Sequence, residues 1–232
     1  MLTLENVLIE QGAFRLAADW SVRAGALVPV VGPSGAGKST LLSVIAGFFP
    51  PTSGRVLWDG KDLSPLEPGA RPLSIVFQDN NLFPHLTVAQ NVGLGLSPGL
   101  KLDAAGWRRV EDSLGRVGLH GLGARKPAAL SGGQQSRVAL ARVLLRARPL
   151  MLLDEPFAAL GPALRAEMLG LVRDVAAETG ATVLMVTHEP RDALRLGGET
   201  VLVADGMAAA PTETAALFDA PPETLRAYLG EG

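Results

Sequence analysis

Three short stretches carry the residue types and spacings most capable of chemistry, and each lies between an apolar run and a helical pattern. The first is Gly32-Pro33-Ser34-Gly35-Ala36-Gly37-Lys38-Ser39-Thr40, which satisfies G-x-x-x-x-G-K-[ST]. It follows the apolar run 27–31 and precedes the helical run 41–46. Glycines let backbone N–H groups curl around phosphate oxygens, and a helix start adds the positive end of its dipole. Lys38 supplies a point charge for the outer phosphates, and the Ser39 hydroxyl is suited to Mg²⁺. The second stretch is Leu150-Met151-Leu152-Leu153-Asp154-Glu155, an apolar strand ending in two carboxylates. In a doubly wound sheet, ligands sit outside the carboxyl ends of the strands. There Asp154 would hold Mg²⁺ through its water shell, and Glu155 would polarise a water for in-line attack on a γ-phosphate. An isolated Asp-Glu pair reads better as a turn with two exposed acids; the phosphate loop upstream reverses that balance. The third stretch is Leu130-Ser131-Gly132-Gly133-Gln134, opening onto the helical run 135–148. A hydroxyl, free N–H groups and a helix N-terminus make a second anion site. Ser131 as an ordinary N-cap would also explain the turn. One nucleotide does not need two such cradles on the same side.

These stretches need a scaffold, and the chain has the rhythm of an α/β fold with a mainly parallel sheet covered by helices. The runs 27–31, 73–77, 150–153, 182–186 and 201–204 are apolar on consecutive residues, as in strands buried on both faces. Residues 2–22 alternate more, and Gly54-Arg55-Val56-Leu57-Trp58-Asp59-Gly60 reads as a strand ending in an Asp-Gly hairpin turn. A small antiparallel sheet is therefore expected to pack beside the main one. From about residue 88 to 147 the pattern is helical, punctuated by Pro98, Gly99, Gly118, Gly121, Gly123 and Pro127. The organisation expected is one domain, 1–232, with a nucleotide-binding core of about 1–86 and 148–232 and a helical subdomain of about 87–147.

Composition bounds the function. The 232 residues suffice for one well-buried core. With no cysteine there is neither a disulfide framework nor a thiolate site. A formal net charge of -2 gives no global basic field, so no nucleic-acid partner is expected. The amino terminus, Met1-Leu2-Thr3-Leu4-Glu5-Asn6, lacks the basic start and apolar stretch of a secretory signal, which predicts a cytoplasmic chain. Its apolar runs are far shorter than the ~20 residues that cross a bilayer. Yet 47% of residues are hydrophobic, which points to a large core or to apolar surface that meets a partner.

In order and spacing, the loop at 32–40, Gln78 after the run 74–77, the pentapeptide 130–134, Leu153-Asp154-Glu155-Pro156 and Thr187-His188 resemble the ATP-binding subunits of ABC transporters over essentially the whole chain. The resemblance implies a P-loop NTPase core, ATP and Mg²⁺ as ligands, and ATP hydrolysis coupled to solute translocation. It implies a metal set of Ser39, Gln78 and Asp154 and a catalytic set of Lys38, Gln78, Glu155 and His188. Gln78 would sense Mg²⁺ and the attacking water, and His188, a weak candidate by itself, would contact the γ-phosphate. It also implies a head-to-tail dimer of two copies. In that dimer Ser131 and Gly133, with Gly132 and Gln134, close over the γ-phosphate held by the other copy's loop, which accounts for two cradles.

The segment 80–102, which begins Asn80-Asn81-Leu82-Phe83-Pro84-His85-Leu86, is similar to the thiamine-importing branch of the family, as are Asp154-Glu155-Pro156-Phe157 and Pro162-Ala163-Leu164-Arg165. The implied cargo is thiamine or its phosphates. The implied partners are membrane-spanning permease subunits and, indirectly, a periplasmic or extracellular solute-binding protein. The implied location is peripheral, on the cytoplasmic face of the inner membrane. The apolar cluster Leu82, Phe83 and Leu86 is expected to line the groove that receives a short helix of the permease.

Three departures from the family stand out. Ala159-Leu160-Gly161 lacks the acid usual at its last position, Pro29 sits in the strand before the loop and cannot donate a ladder hydrogen bond, and the usual adenine-stacking aromatic aligns with Gln11, leaving Phe14 as a displaced candidate. Two competing readings remain. A soluble ABC-type ATPase of nucleic-acid repair or translation is opposed by the lack of tandem domains or basic extensions. A module that binds ATP without effective hydrolysis is kept open by Gly161 and opposed by Glu155.

Overall fold

The computed structural model describes residues 1–230; the last two positions of the domain span 1–232 lie outside the described residues. Alternating burial builds the opening hairpin, Leu2–Gln11 (β1) and Phe14–Val22 (β2), paired antiparallel from Leu2 opposite Val22 to Gln11 opposite Phe14. A register shift between Leu4 and Val7, where Asn6 adopts φ 47°, lets those two residues share the buried face although they are three apart. Leu27–Val31 (β3) leads into the phosphate loop and Lys38–Ala46 (α1). Ser53–Trp58 (β4) turns through Asp59 and Gly60, both at positive φ (49° and 75°), into Lys61–Asp62 (β5), as an Asp-Gly hairpin requires. Leu73–Val76 (β6) is followed by three helices, Val88–Gly93 (α2), Ala104–Arg116 (α3) and Gly132–Arg146 (α4). The remaining elements are Leu150–Asp154 (β7), Pro162–Thr179 (α5), Thr182–Val186 (β8), Pro190–Leu196 (α6), Glu199–Ala204 (β9), Met207–Ala208 (β10), Thr212–Glu213 (β11), Thr214–Asp219 (α7) and Glu223–Leu229 (α8).

The strand order is β5-β4-β1-β2-β10-β9-β3-β8-β7-β6, with β11 on β9. The stretch β9-β3-β8-β7-β6 is parallel throughout. The antiparallel strands do not form a separate sheet packed beside it. They join it edge to edge through β10, parallel to β2 and antiparallel to β9, and the buried Trp20 indole fixes that seam by donating to the Ala208 carbonyl at 3.0 Å. Two residues at β10 leave no periodicity to read, which is why the sequence suggested two sheets.

Pro29 lies in a central strand, where it is normally excluded. The carbonyls of Ala26 and Val30 accept from Val183 and Thr187 on the β8 side, so the alternate residue Pro29 faces β9. Pairing of β3 with β9 runs from Val30 opposite Val201 onward, so the missing donor falls at the edge of that ladder.

Both faces of the parallel strands are covered. Leu150, Leu152, Leu184 and Val186 pack with Leu41, Leu42 and Ile45 of α1, whereas Met151, Leu153, Val183 and Met185 pack with Val138, Leu140 and Val172 from α4 and α5. Each such fully buried side chain contributes about 1.5–3 kcal/mol. Helix α4 stops two residues before the run read from sequence, because Ala147 turns left-handed (φ 49°) and Pro149 disfavours helix at Arg148. Among the described residues no helix is long and apolar enough to cross a membrane.

Candidate nucleotide site

The loop at 32–40 leaves α1 with an N-terminus that has no side-chain cap and no acid in its first turn, so its N–H groups remain available to an anion. Gly37 there adopts φ 103°, and a Cβ on it would fall 2.5 Å from Phe14 Cζ, so only glycine lets the aromatic ring lie against the loop. Lys38 is buried, and its ammonium donates to the carbonyls of Gly32 and Pro33, each at 2.8 Å. Burial pushes its pKa down, while the charges of Glu155 and Asp154 act in the opposite sense. The Ser39 hydroxyl donates to Asp154 Oδ1 at 3.1 Å, joining loop and β7 across 115 positions of sequence. Burial raises the Asp154 pKa, against the hydrogen bond from Ser39, which lowers it.

Glu155 follows β7 in a left-handed conformation (φ 48°) that costs a non-glycine residue about 1–2 kcal/mol. Its N–H donates to Val186 of β8 at 3.2 Å, and its Oε1 lies 2.5 Å from His188 Nε2. The strained backbone is compensated by a fixed carboxylate. Beyond β8, the Thr187 hydroxyl donates to Asp192 Oδ2 at 2.8 Å and accepts the Glu189 N–H at 3.1 Å. Asp192 is buried, its other oxygen has no hydrogen-bond partner among the described residues, and burial raises its pKa.

Lys38, Ser39, Glu155 and His188 line a cavity of about 350 Å³ together with Phe14, Ser34, Gly35, Gly37, Thr40 and Gln78, whereas Thr187 and Asp192 line a neighbouring concavity that shares Glu155 and His188. Of the other residues singled out from sequence, Asp154 meets the lining through Ser39, and the carbonyls of Gly32 and Pro33 hold Lys38. Ala36 lies within the loop but does not line the cavity, and exposed Gln11 is also outside the lining, opposite Phe14 in the hairpin.

Ser131, Gly132, Gly133 and Gln134 are not part of that cavity. They start α4, where Ser131 Oγ accepts the Gln134 N–H (3.3 Å) and Gln134 Oε1 accepts the Ser131 N–H (3.0 Å). The N-cap reading of Ser131 thus holds, and its O–H is still free to donate. A Cβ on Gly133 would come within 2.9 Å of Leu160 Cδ2, so this turn is packed against the segment that follows Glu155. Gly161 is the N-cap of α5 and supplies no side-chain cap.

A second concavity of about 300 Å³ is lined by Phe48, Ile75, Phe83, Leu94, Arg142 and Arg146, among others. Phe83 and Phe48 are 47% and 49% exposed. Leu82 turns onto the core instead, and Leu86 is not in the lining, so of the three apolar residues expected there only Phe83 contributes.

Three sets of contacts escaped the sequence reading. Arg142 donates to the carbonyls of Asn80 and Asn81 at 3.1 and 3.0 Å, tying α4 to the segment after Gln78. Arg165 donates to the Phe157 carbonyl at 2.9 Å and lies 3.9 Å from Glu189. The Tyr228 hydroxyl donates to the His188 carbonyl at 2.7 Å. The only local hint was the Asn80-Asn81 pair, a residue type tolerant of the left-handed region that both adopt.

A glycine loop, a buried lysine and two carboxylates at strand ends of a parallel sheet define a P-loop NTPase. Residues 17–158 match the ABC transporter family, and the chain belongs to that family. It is 64% identical over 230 residues to the thiamine import ATP-binding protein ThiQ of Cereibacter sphaeroides, covering 99% of this chain and 100% of that one. A protein of the same name from Ruegeria sp. is 56% identical over the same length and coverage. Among solved structures, a dimeric ATP-binding cassette in a post-hydrolysis state, bound to ADP and Pi, is similar at a TM-score of 0.83 and 31% identity, covering 92% of this chain and 99% of that one. A second dimeric structure of that bacterial ABC transporter cassette gives 0.82 and 32% over the same coverage.

Proposed function

We propose that this chain binds and hydrolyses ATP as the cytoplasmic subunit of an ABC importer, driving uptake of thiamine or its phosphates through a separate membrane-spanning permease. The observation that carries the hydrolytic reading is the Glu155–His188 pair, 2.5 Å apart in the lining of the phosphate-loop cavity. Full-length similarity to thiamine import ATP-binding proteins supports the cargo and disfavours a soluble role in nucleic-acid repair or translation. Similarity to dimeric cassettes supports a pair of copies, here proposed to be head-to-tail.

The donor set fits Mg²⁺. No cluster of three His, Cys, Asp or Glu exists among the described residues, but the Ser39 hydroxyl, the Asp154 carboxylate and the Gln78 amide supply oxygen ligands, and Mg²⁺ favours one or two protein oxygens plus phosphates and water. Bound there, the ion would neutralise charge on the outer phosphates. The N–H groups of residues 35–40 cradle the phosphates, and Lys38 exchanges its two carbonyl partners for the outer phosphate oxygens. Glu155 orients the attacking water and takes its proton, and His188 holds that carboxylate and reaches the γ-phosphate. Ser131 and Gly133 of the second copy close the site. Phe83 and Phe48 would receive a permease helix, with a solute-binding protein engaged only through the permease at the outer face.

Glu155→Gln is expected to leave ATP binding intact and to lower turnover about 10²–10⁴-fold, as loss of a general base does. It should accumulate as a nucleotide-loaded dimer on size exclusion with ATP and Mg²⁺, whereas Lys38→Ala should weaken binding itself. A Glu155→Gln protein that stays monomeric and hydrolyses at the wild-type rate would refute the assignment. Unchanged thiamine accumulation in cells lacking the chain would refute the cargo.

A further inference from the structure

We infer that Tyr228 is a positioning residue for hydrolysis: its phenol holds the main chain of His188 so that the imidazole stays on Glu155. The inference rests on the hydrolytic reading above. The loop between β8 and α6 is tied on both sides of His188 by one hydroxyl, since Thr187 Oγ1 donates to Asp192 and accepts the Glu189 N–H. The His188 carbonyl is held separately, by an element from far along the chain, at 2.7 Å from Tyr228 Oη. The same residue directs Nε2 to Glu155 Oε1 at 2.5 Å, so the two contacts fix His188 at its backbone and at its ring tip.

Tyr228 is itself well anchored. Its ring packs against a small core cluster that contains Leu217 and Leu225, Ala193 of α6 and Val31, the residue just before Gly32 of the phosphate loop. Helix α8 therefore rests on the strand that presents the phosphates' cradle and reaches over to the loop that carries His188. Burial, with the nearby charges of Glu189 and Glu155, raises the phenol's pKa, which keeps it a donor. His188 is an exposed residue, so a carbonyl released from Tyr228 would find water. Loss of the hydroxyl thus disturbs stability little but frees the peptide that sets the direction of the ring. Small misplacements of catalytic groups are costly in rate.

The test is steady-state ATP hydrolysis by the full chain with Mg²⁺, for wild type, Tyr228→Phe, His188→Ala and the double variant. Tyr228→Phe keeps the ring in its cluster and should lower kcat about two- to tenfold, the range a single net hydrogen bond supports. KM and direct ATP affinity should not change, and on the His188→Ala background the same substitution should cause no further fall. A wild-type kcat in Tyr228→Phe, an additive fall on the His188→Ala background, or loss of folding on removal of the hydroxyl overturns the inference. If wild type does not hydrolyse ATP, or His188→Ala is as fast as wild type, the hydrolytic reading of the site fails and takes the inference with it. If both behave as read and Tyr228→Phe alone is silent, only the role of Tyr228 falls.

Discussion

Removal of the Phe14 ring tests base recognition most directly. The ring lines the cavity and lies against Gly37, while Gln11, at the position where the family's aromatic is expected, is exposed and outside the lining. In the proposed site Lys38, Ser39 and the loop N–H groups would meet phosphates common to ATP and GTP, so any contribution from the base must come from another group. Stacking of a base on an aromatic side chain is worth about 1–3 kcal/mol and tolerates every base, since each has a π-face. Phe14→Ala should therefore weaken ATP and GTP alike, by about 5- to 150-fold. Truncation of a fully buried Phe costs about 3–5 kcal/mol, and this half-buried ring costs less, so a domain with ordinary stability of about 5–15 kcal/mol remains folded. Calorimetric titration of both nucleotides into wild type and variant at one Mg²⁺ concentration, with a melting curve as control, reads the effect. Unchanged affinities in a folded variant would show that the base does not rest on Phe14. A strong wild-type preference for ATP would show a specific adenine contact elsewhere.

Phe83→Ala should reduce transport in the assembled importer while leaving nucleotide affinity of the isolated chain unchanged, because Phe83 lines the outer groove and not the phosphate cavity; equal loss of both would place it in the core. Asp192→Asn tests the buried carboxyl. Its folded pKa is raised, so ionisation disfavours the fold, and the wild type loses stability relative to the variant as pH rises through that folded pKa. Asn still offers an acceptor to Thr187, so the variant should melt at or above the wild-type temperature at pH 8, with the advantage shrinking toward pH 4, near the unfolded carboxyl pKa of about 3.9. A gap that widens on acidification would refute it.

What was legible in the sequence was local. Strands β3 and β8 were readable to the residue, because strands buried on both faces write their covering helices into consecutive apolar letters. The loop at 32–40 was readable because the backbone geometry of phosphate binding demands glycine and lysine at fixed spacing. Illegible were contacts between single residues far apart in the chain. Nothing in the sequence sets Tyr228 apart as a partner of His188 until α8 brings the two together across 40 positions. Nothing in the sequence pairs Arg142 of α4 with the left-handed turn at Asn80 and Asn81, which presents two carbonyls to it. The left-handed Glu155 left no trace either, since nothing in its letter distinguishes a strained carboxylate from a relaxed one.

The separation of the two glycine-rich turns within one chain bears on how hydrolysis becomes mechanical work. Residues 131–134 lie outside the phosphate cavity, yet Gly133 is pressed against Leu160, only five positions after Glu155. Glu155, proposed to orient the attacking water, and the turn proposed to meet a second copy are thus linked through one short segment, 155–160, which leads into Gly161 at the start of α5. From the other side, Arg142 ties α4 to the segment after Gln78, and that segment runs into the outer groove at Phe83. In the proposed head-to-tail pair, a γ-phosphate bridging the loop of one copy and Ser131 of the other would hold both links at once. Its loss would release α4 with its arginine, and with it the groove where the permease is proposed to sit. Without Ser131 from a partner, a single chain could bind ATP at its loop but would have nothing to pull on.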